Sequence, residues 1–164
     1  MVRRVFYSFH YERDNWRAAQ VRNIRTMEGN QPARDNDWET VTRGGTAAIK
    51  RWIARQMKGR SCTVVLVGTD TAERPWIEHE IIKSWNDRMG VVGIHIHGLL
   101  NRHGQFPYKG RNPFNSLKLG ESRLSSIVKC YDPAGANSRE KYAWIARHLA
   151  NAVEEAIQIR QRYY

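Results

Sequence analysis

The run Cys62-Thr-Val-Val-Leu-Val67 is apolar at every position but Thr63. Successive residues of a strand face opposite sides, so this run is satisfied only as a strand covered on both faces. Gly90-Val-Val-Gly-Ile-His-Ile-His97 has the same character. Between the two lies a segment of helical period, with Pro75 suited to a first turn and Ile77, Ile81 and Trp85 on one face. Strand, helix and strand in that order imply a parallel pair, because right-handed crossovers lay their helices against the sheet.

The alternation continues along the chain. Arg4-Val-Phe-Tyr-Ser-Phe9 is rich in β-branched and aromatic residues and reads as a first strand. Asp14 offers an N-cap to a helix with Trp16, Gln20, Ile24 and Met27 at helical spacing. Residues 28–42 hold Gly29, Pro32 and a lone Trp38, a long loop with room for a short edge strand. Gly45 to Met57 returns to helical period through Ile49, Trp52, Ile53 and Gln56, and Gly59 ends it. Residues 98–123 are polar and glycine-punctuated, without a period. Ser125 to Tyr131 is a last short strand, and Ser138 caps a final helix striped by Tyr142, Ile145, Leu149, Val153 and Ala156. No repeat or linker divides the chain, so residues 1–164 read as one domain. The order predicts an α/β fold: a flavodoxin-like, doubly wound, mainly parallel sheet of four to five strands with helices on both faces.

Composition narrows the setting. The longest strictly aliphatic run, Val64 to Val67, is far short of a bilayer span. Met-Val-Arg-Arg leads straight into the first strand without a signal-peptide core, so a soluble, cytoplasmic protein without membrane partners is expected. Cys62 and Cys130 are too few for a disulfide framework and sit in apolar runs, as buried thiols of a reducing compartment do. A formal net charge of +11 favours anionic partners and says nothing of fold.

Ligands of such sheets bind outside the strand carboxyl ends, where strand order reverses. That places Phe9-His10-Tyr11, Gly68-Thr69-Asp70 and His97-Gly98 around one crevice. Neither a G-x-x-x-x-G-K-[ST] loop, a G-x-G-x-x-G turn nor a G-x-S-x-G elbow occurs. Trp76-Ile-Glu-His-Glu80 is the informative segment: Trp76 and Glu80 share a helix face, while Glu78 lies roughly 200° around the axis from Glu80. Glu80 adjoins the Ile77–Ile81 stripe and Glu78 turns toward solvent. A partly desolvated carboxylate beside a tryptophan suits ribose hydroxyls and a developing oxocarbenium ion. Pattern alone also allows a solvated surface glutamate beside a core tryptophan.

Val5-Phe-Tyr-Ser-Phe-His10, Val64-Val-Leu-Val-Gly-Thr69 and Arg74-Pro-Trp-Ile-Glu-His-Glu-Ile81, in this order, resemble the TIR domain superfamily. More narrowly they are similar to the short bacterial TIR-like proteins of the Thoeris antiphage system, the ThsB type. Trp16-Arg17, Val21-Arg22-Asn23, Gly93-Ile-His-Ile-His97 and Asn112-Pro113-Phe114 extend that likeness over nearly the whole chain. The resemblance implies cleavage of the nicotinamide–ribose bond of NAD, as substrate rather than prosthetic group. It assigns catalysis to Glu80, four residues after Trp76. Capture of the cation by water gives ADP-ribose; capture within the molecule gives a cyclic isomer that signals to an effector. The resemblance also places Phe9 and His10 at the pocket, with His10 where many TIR domains carry arginine. Trp76, Gly68, Thr69 and Asn112 complete the expected binding residues, and self-association is implied. Phe9 is equally explained as core, and Gly68 as a plain turn.

Other signals stand beside these. His95 and His97 share a strand face, with His103 in the next loop, yet no further ligand pairs with them, and no metal is expected. Residues 101–123 interleave Arg102, Lys109, Arg111, Lys118 and Arg123 with Phe106, Tyr108 and Phe114, a pattern of nucleic-acid grooves that equally suits a lid over a pyrophosphate. The helix arginines and lysines form no stripe, so nucleic acid is the less favoured partner. A TIR scaffold without catalysis is the main alternative to the enzyme.

Overall fold

The computed structural model describes residues 2–30, 43–100 and 108–163. Five parallel strands form one sheet: β1 (Arg3–Ser8), β2 (Met27–Gly29), β3 (Cys62–Val67), β4 (Gly90–His95) and, after a two-stranded hairpin of β5 (Lys118–Leu119) and β6 (Ser122–Arg123), β7 (Cys130–Tyr131). Their spatial order is β2-β1-β3-β4-β7. The helices are α1 (Tyr11–Arg22), α2 (Gly45–Met57), α3 (Pro75–Asn86) and α4 (Ser138–Gln161). This is the doubly wound, flavodoxin-like arrangement expected, and order reverses between β1 and β3.

All six positions of β3 and of β4 are buried, as near-continuous apolar runs require. The two pair along their whole length, from Cys62 against Gly90 to Val67 against His95. On one face, Val5, Tyr7, Val64, Leu66, Val92 and Ile94 pack against Ala18 and Val21 of α1 and against Ile145, Leu149 and Val153 of α4. On the other, Val65, Val67 and Val91 meet Ile77, Ile81 and Trp85 of α3 together with Phe114, Leu117 and Leu124. Phe6 of β1 packs on that side against Ile49, Ile53 and Met57 of α2. Buried hydroxyls pin α3 to the sheet: Ser84 Oγ lies 2.6 Å from Thr63 Oγ1 and also 2.6 Å from the Glu80 carbonyl oxygen that accepts its proton.

Several boundaries differ from expectation for identifiable reasons. Helix α1 starts at Tyr11, and its buried face is Asp14, Arg17, Ala18 and Val21, leaving Trp16 53% exposed. The small Ala18 lets the helix sit close to the sheet, and Asp14 and Arg17 enter as a pair, so bulk was a poor guide to phase. Asp14 is therefore a buried residue of the first turn rather than an N-cap. Met27 leaves the helix and opens the edge strand β2, whose last residues lie in the segment read as a loop. The expected strand over 125–131 begins inside a 3-10 turn, Leu124–Ser126, continues irregularly through 127–129, and only Cys130 and Tyr131 are paired. Asn137, not Ser138, caps α4, its Oδ1 accepting from Glu140 N at 2.9 Å. Cys62 is buried and Cys130 only partly so; both are free thiols.

Many cations are structural braces. Arg17 Nε donates to the Leu99 carbonyl at 2.8 Å. Arg60 Nε reaches the Gln56 carbonyl at 2.7 Å. Arg160 donates to Trp85 O at 2.9 Å while its guanidinium lies 4.5 Å over the Trp85 ring. In the 108–123 stretch Lys109 pairs with Asp132 and Arg111 with Glu73, and Phe114 is wholly buried. The two cations are thus neutralised by surface carboxylates, and Phe114 is core rather than a stacking surface. No helix among the described residues is long and apolar enough to cross a membrane.

Candidate active site

A cavity of about 230 Å³ opens at the carboxyl edge of the sheet, at the reversal of strand order, lined by Phe9–Glu12 and by Arg74–Ile77 with Glu80. It lies where two helices begin: α1 enters with His10 at its N-cap, and α3 with Arg74 at its N-cap and Pro75 next. Neither N-cap side chain closes on its helix. The start of α3 follows from sequence, since a residue before proline is held extended and proline fits the first helical turn.

Glu80 is only 9% exposed, and its Oε2 has no hydrogen-bond partner among the described residues. Burial pushes its carboxyl up to about 8; the Ser8 hydroxyl, close by at the end of β1, draws it back only in part. Ser8 Oγ is itself buried and completes no hydrogen bond among the described residues, so the approach is electrostatic rather than a formed bond. An unpartnered buried carboxyl is costly, and a pocket that keeps one is organised for something other than stability. Glu78, two residues earlier, is part-exposed and meets Ser116 Oγ at 3.4 Å.

The aromatic walls are held from behind. Trp76 packs on the Phe6–Ile49–Ile53 cluster and meets the His79 ring edge-on at 5.5 Å. Phe9 packs against the opposite core and stacks on Tyr11 with centroids 6.2 Å apart. It thus serves both readings, part core and part pocket wall. Burial, then the neighbouring Arg74 cation, holds His10 below the usual imidazole range, so it is neutral near pH 7.

Glu80, Trp76, Phe9 and His10 therefore converge. Gly68, Thr69 and Asn112 lie outside the cavity lining. Gly68 is small because Asp14 and the chain at Gly110 crowd it: a Cβ there would stand 2.1 Å from Asp14 Oδ2. Thr69 Oγ1 donates to the Tyr108 carbonyl, and Asn112 Oδ1 accepts from Phe114 N at 2.8 Å, closing a turn. Glu12 and Arg74 line the cavity without having been expected there, although the place of Arg74 before a helix-opening proline put it at this edge. His95 and His97, with ring centroids 5.8 Å apart at the end of β4, lie away from the cavity lining, and both Nδ1 atoms are buried and unpartnered among the described residues. Among the described residues no three His, Cys, Asp or Glu side chains are grouped to hold a metal. Trp38, Arg102, His103 and Phe106 lie outside the described residues.

A parallel sheet of order 2-1-3-4-5 with its crevice at the reversal point is a flavodoxin-like architecture consistent with a TIR-like protein. Residues 6–101 match the family described as "Thoeris protein ThsB, TIR-like domain". The whole chain aligns, at 31% identity and over 87% of the relative's length, with a Bacillus cereus (strain MSX-D12) protein named "Putative cyclic ADP-D-ribose synthase ThsB1". The chain belongs to the ThsB family of TIR-like proteins.

Proposed function

We propose that this protein cleaves the nicotinamide–ribose bond of NAD with Glu80 as catalytic residue, producing a cyclic ADP-ribose-like signal for an effector in antiphage defence. The observation that carries the proposal is the buried, unpartnered Glu80 carboxyl lining a cavity with aromatic walls, in a chain of this family. The relative's name supports the cyclic product.

The chemistry follows from the carboxyl's environment. In the free protein Glu80 is largely protonated at pH 7, because burial disfavours its charge. The nicotinamide ring of NAD carries a positive charge, and an opposite charge at close range restores the carboxylate. As the C1′–N bond breaks, the bonding pair passes to the nicotinamide nitrogen and positive charge develops on the ribose. A carboxylate fixed in a water-poor site stabilises that charge without reorganisation. Ribose hydroxyls supply the hydrogen bonds that Oε2 lacks, and Trp76 and Phe9 offer flat faces to the departing ring. Water attack then yields ADP-ribose and a proton; attack by a nucleophile of the same molecule yields the cyclic isomer and a proton. That sequence calls on no metal or prosthetic group.

The protein acts as a single cytoplasmic domain whose activity depends on self-association, so the assay must span protein concentration. Mass spectrometry after incubation with NAD tests the proposal. A product lighter than ADP-ribose by one water, accompanied by nicotinamide and absent with Glu80→Gln, is expected. Intact NAD at every concentration, or equal product from both proteins, would leave a scaffold as the better account.

A further inference from the structure

We infer that Arg74, with the uncapped starts of α1 and α3, holds the pyrophosphate of the substrate and makes the pocket select a dinucleotide over a nicotinamide riboside. The inference rests on the same pocket as the proposed reaction but on different atoms. Arg74 lines the cavity, and of its donors only Nε is engaged, with the Asp70 carbonyl at 2.8 Å. That bond orients the guanidinium and leaves its terminal nitrogens free among the described residues. Asp70, the nearest acid, is paired with Arg13 at 3.1 Å; Glu12 is the other carboxylate at the rim and is exposed.

Backbone donors point to the same ligand. Neither N-cap side chain, His10 or Arg74, caps its own helix, and helix starts carry partial positive charge. Oxyanions bind such places, and a planar guanidinium grips phosphate oxygens in pairs. The second mark of a ligand is Glu80, buried and unpartnered in the same cavity. Glu80 is six positions beyond Arg74, about 9 Å along the helix axis, so anion and reacting sugar are held at separate stations of one element. At about 230 Å³ the cavity is smaller than the roughly 300–1,000 Å³ of pockets that enclose a drug-sized ligand. It encloses one half of a dinucleotide, and the phosphates fall at its mouth, where Arg74 stands.

The test is calorimetric titration of inorganic pyrophosphate and of ADP-ribose into the full chain, as wild type, Arg74→Gln, Arg74→Lys and Glu80→Gln. Wild type and Glu80→Gln are expected to bind pyrophosphate with equal affinity. Arg74→Gln should lose at least tenfold for both ligands, and Arg74→Lys should recover part of that. In turnover, Arg74→Gln should raise KM for NAD with little change in kcat and so narrow the preference for NAD over nicotinamide riboside. Wild type that binds no pyrophosphate, or Arg74→Gln that binds it within twofold of wild type, overturns the inference even if NAD is cleaved. Arg74-dependent binding without any cleavage would sustain the anion site and remove the reaction.

Discussion

Glu80→Gln should make the protein more stable, by an amount that depends on pH. The carboxyl titrates at 4.5 when solvated and at about 8 in the fold. Below about 4.5 both states carry the proton, and glutamate and glutamine are equivalent. As pH rises from there, the unfolded chain ionises first and is favoured, so wild-type stability falls until about pH 8 and is level beyond it. At roughly 1.4 kcal/mol per pH unit, the wild type forfeits up to about 3 kcal/mol at pH 7 and about 5 kcal/mol above pH 8. Glutamine carries no such penalty at any of these pH values. In a domain of this length each kcal/mol moves Tm by about 2–4 °C, so the variant should melt roughly 6–12 °C higher at pH 7. Paired thermal melts from pH 4 to 9 read this directly. Asp14, which burial pushes up to about 6, imposes a similar slope at lower pH, but it is common to both proteins and cancels in the difference. Melting curves that stay parallel across the range would mean that Glu80 is solvated, and the electrostatic argument for catalysis would fail with it.

Other consequences are as specific. The free-enzyme carboxyl titrates near 8, so kcat/KM for NAD should rise with pH and level off near 8, whereas kcat should level off lower because bound substrate favours the carboxylate; a flat kcat/KM profile from pH 6 to 9 would contradict this. Gly110→Ala would place a Cβ 2.0 Å from the Gly68 carbonyl oxygen, forcing β3's end and the crossing segment apart, at about 1–3 kcal/mol or more by denaturant unfolding. Arg160→Ala removes a buried donor from Trp85 O and a cation from the Trp85 ring; a loss of about 2–4 kcal/mol is expected, against under about 0.5 for exposed Arg162→Ala.

What could be read from sequence divides along physical lines. Strands β3 and β4 and helices α2, α3 and α4 were legible because apolar residues on both strand faces, or along one helix stripe, have few other ways to be buried. The phase of α1 was not, since its buried face includes Asp14 and Arg17, and ion-paired polar residues leave no trace in an apolar period. Glu80 and Trp76 were legible through their spacing and the likeness that gave it meaning. Gly68, Thr69 and Asn112 stand near the crevice in sequence logic but are occupied by packing and turn closure, which depend on Asp14, Tyr108 and Phe114 arriving from elsewhere. Ser8 matters through its position beside Glu80, a relation that no local pattern marks, whereas the place of Arg74 before Pro75 was a local signal for the crevice edge.

Nicotinamide release from NAD by wild type, Glu80→Gln and Glu78→Gln, over a range of protein concentrations, tests the central claim most directly. Glu78 is the control because it lies on the same helix and meets Ser116 instead of the cavity. Glu80→Gln should lose about 10²–10³-fold in rate while Glu78→Gln stays near wild type. Equal rates for wild type and Glu80→Gln, or no release by wild type at any concentration, would contradict the account.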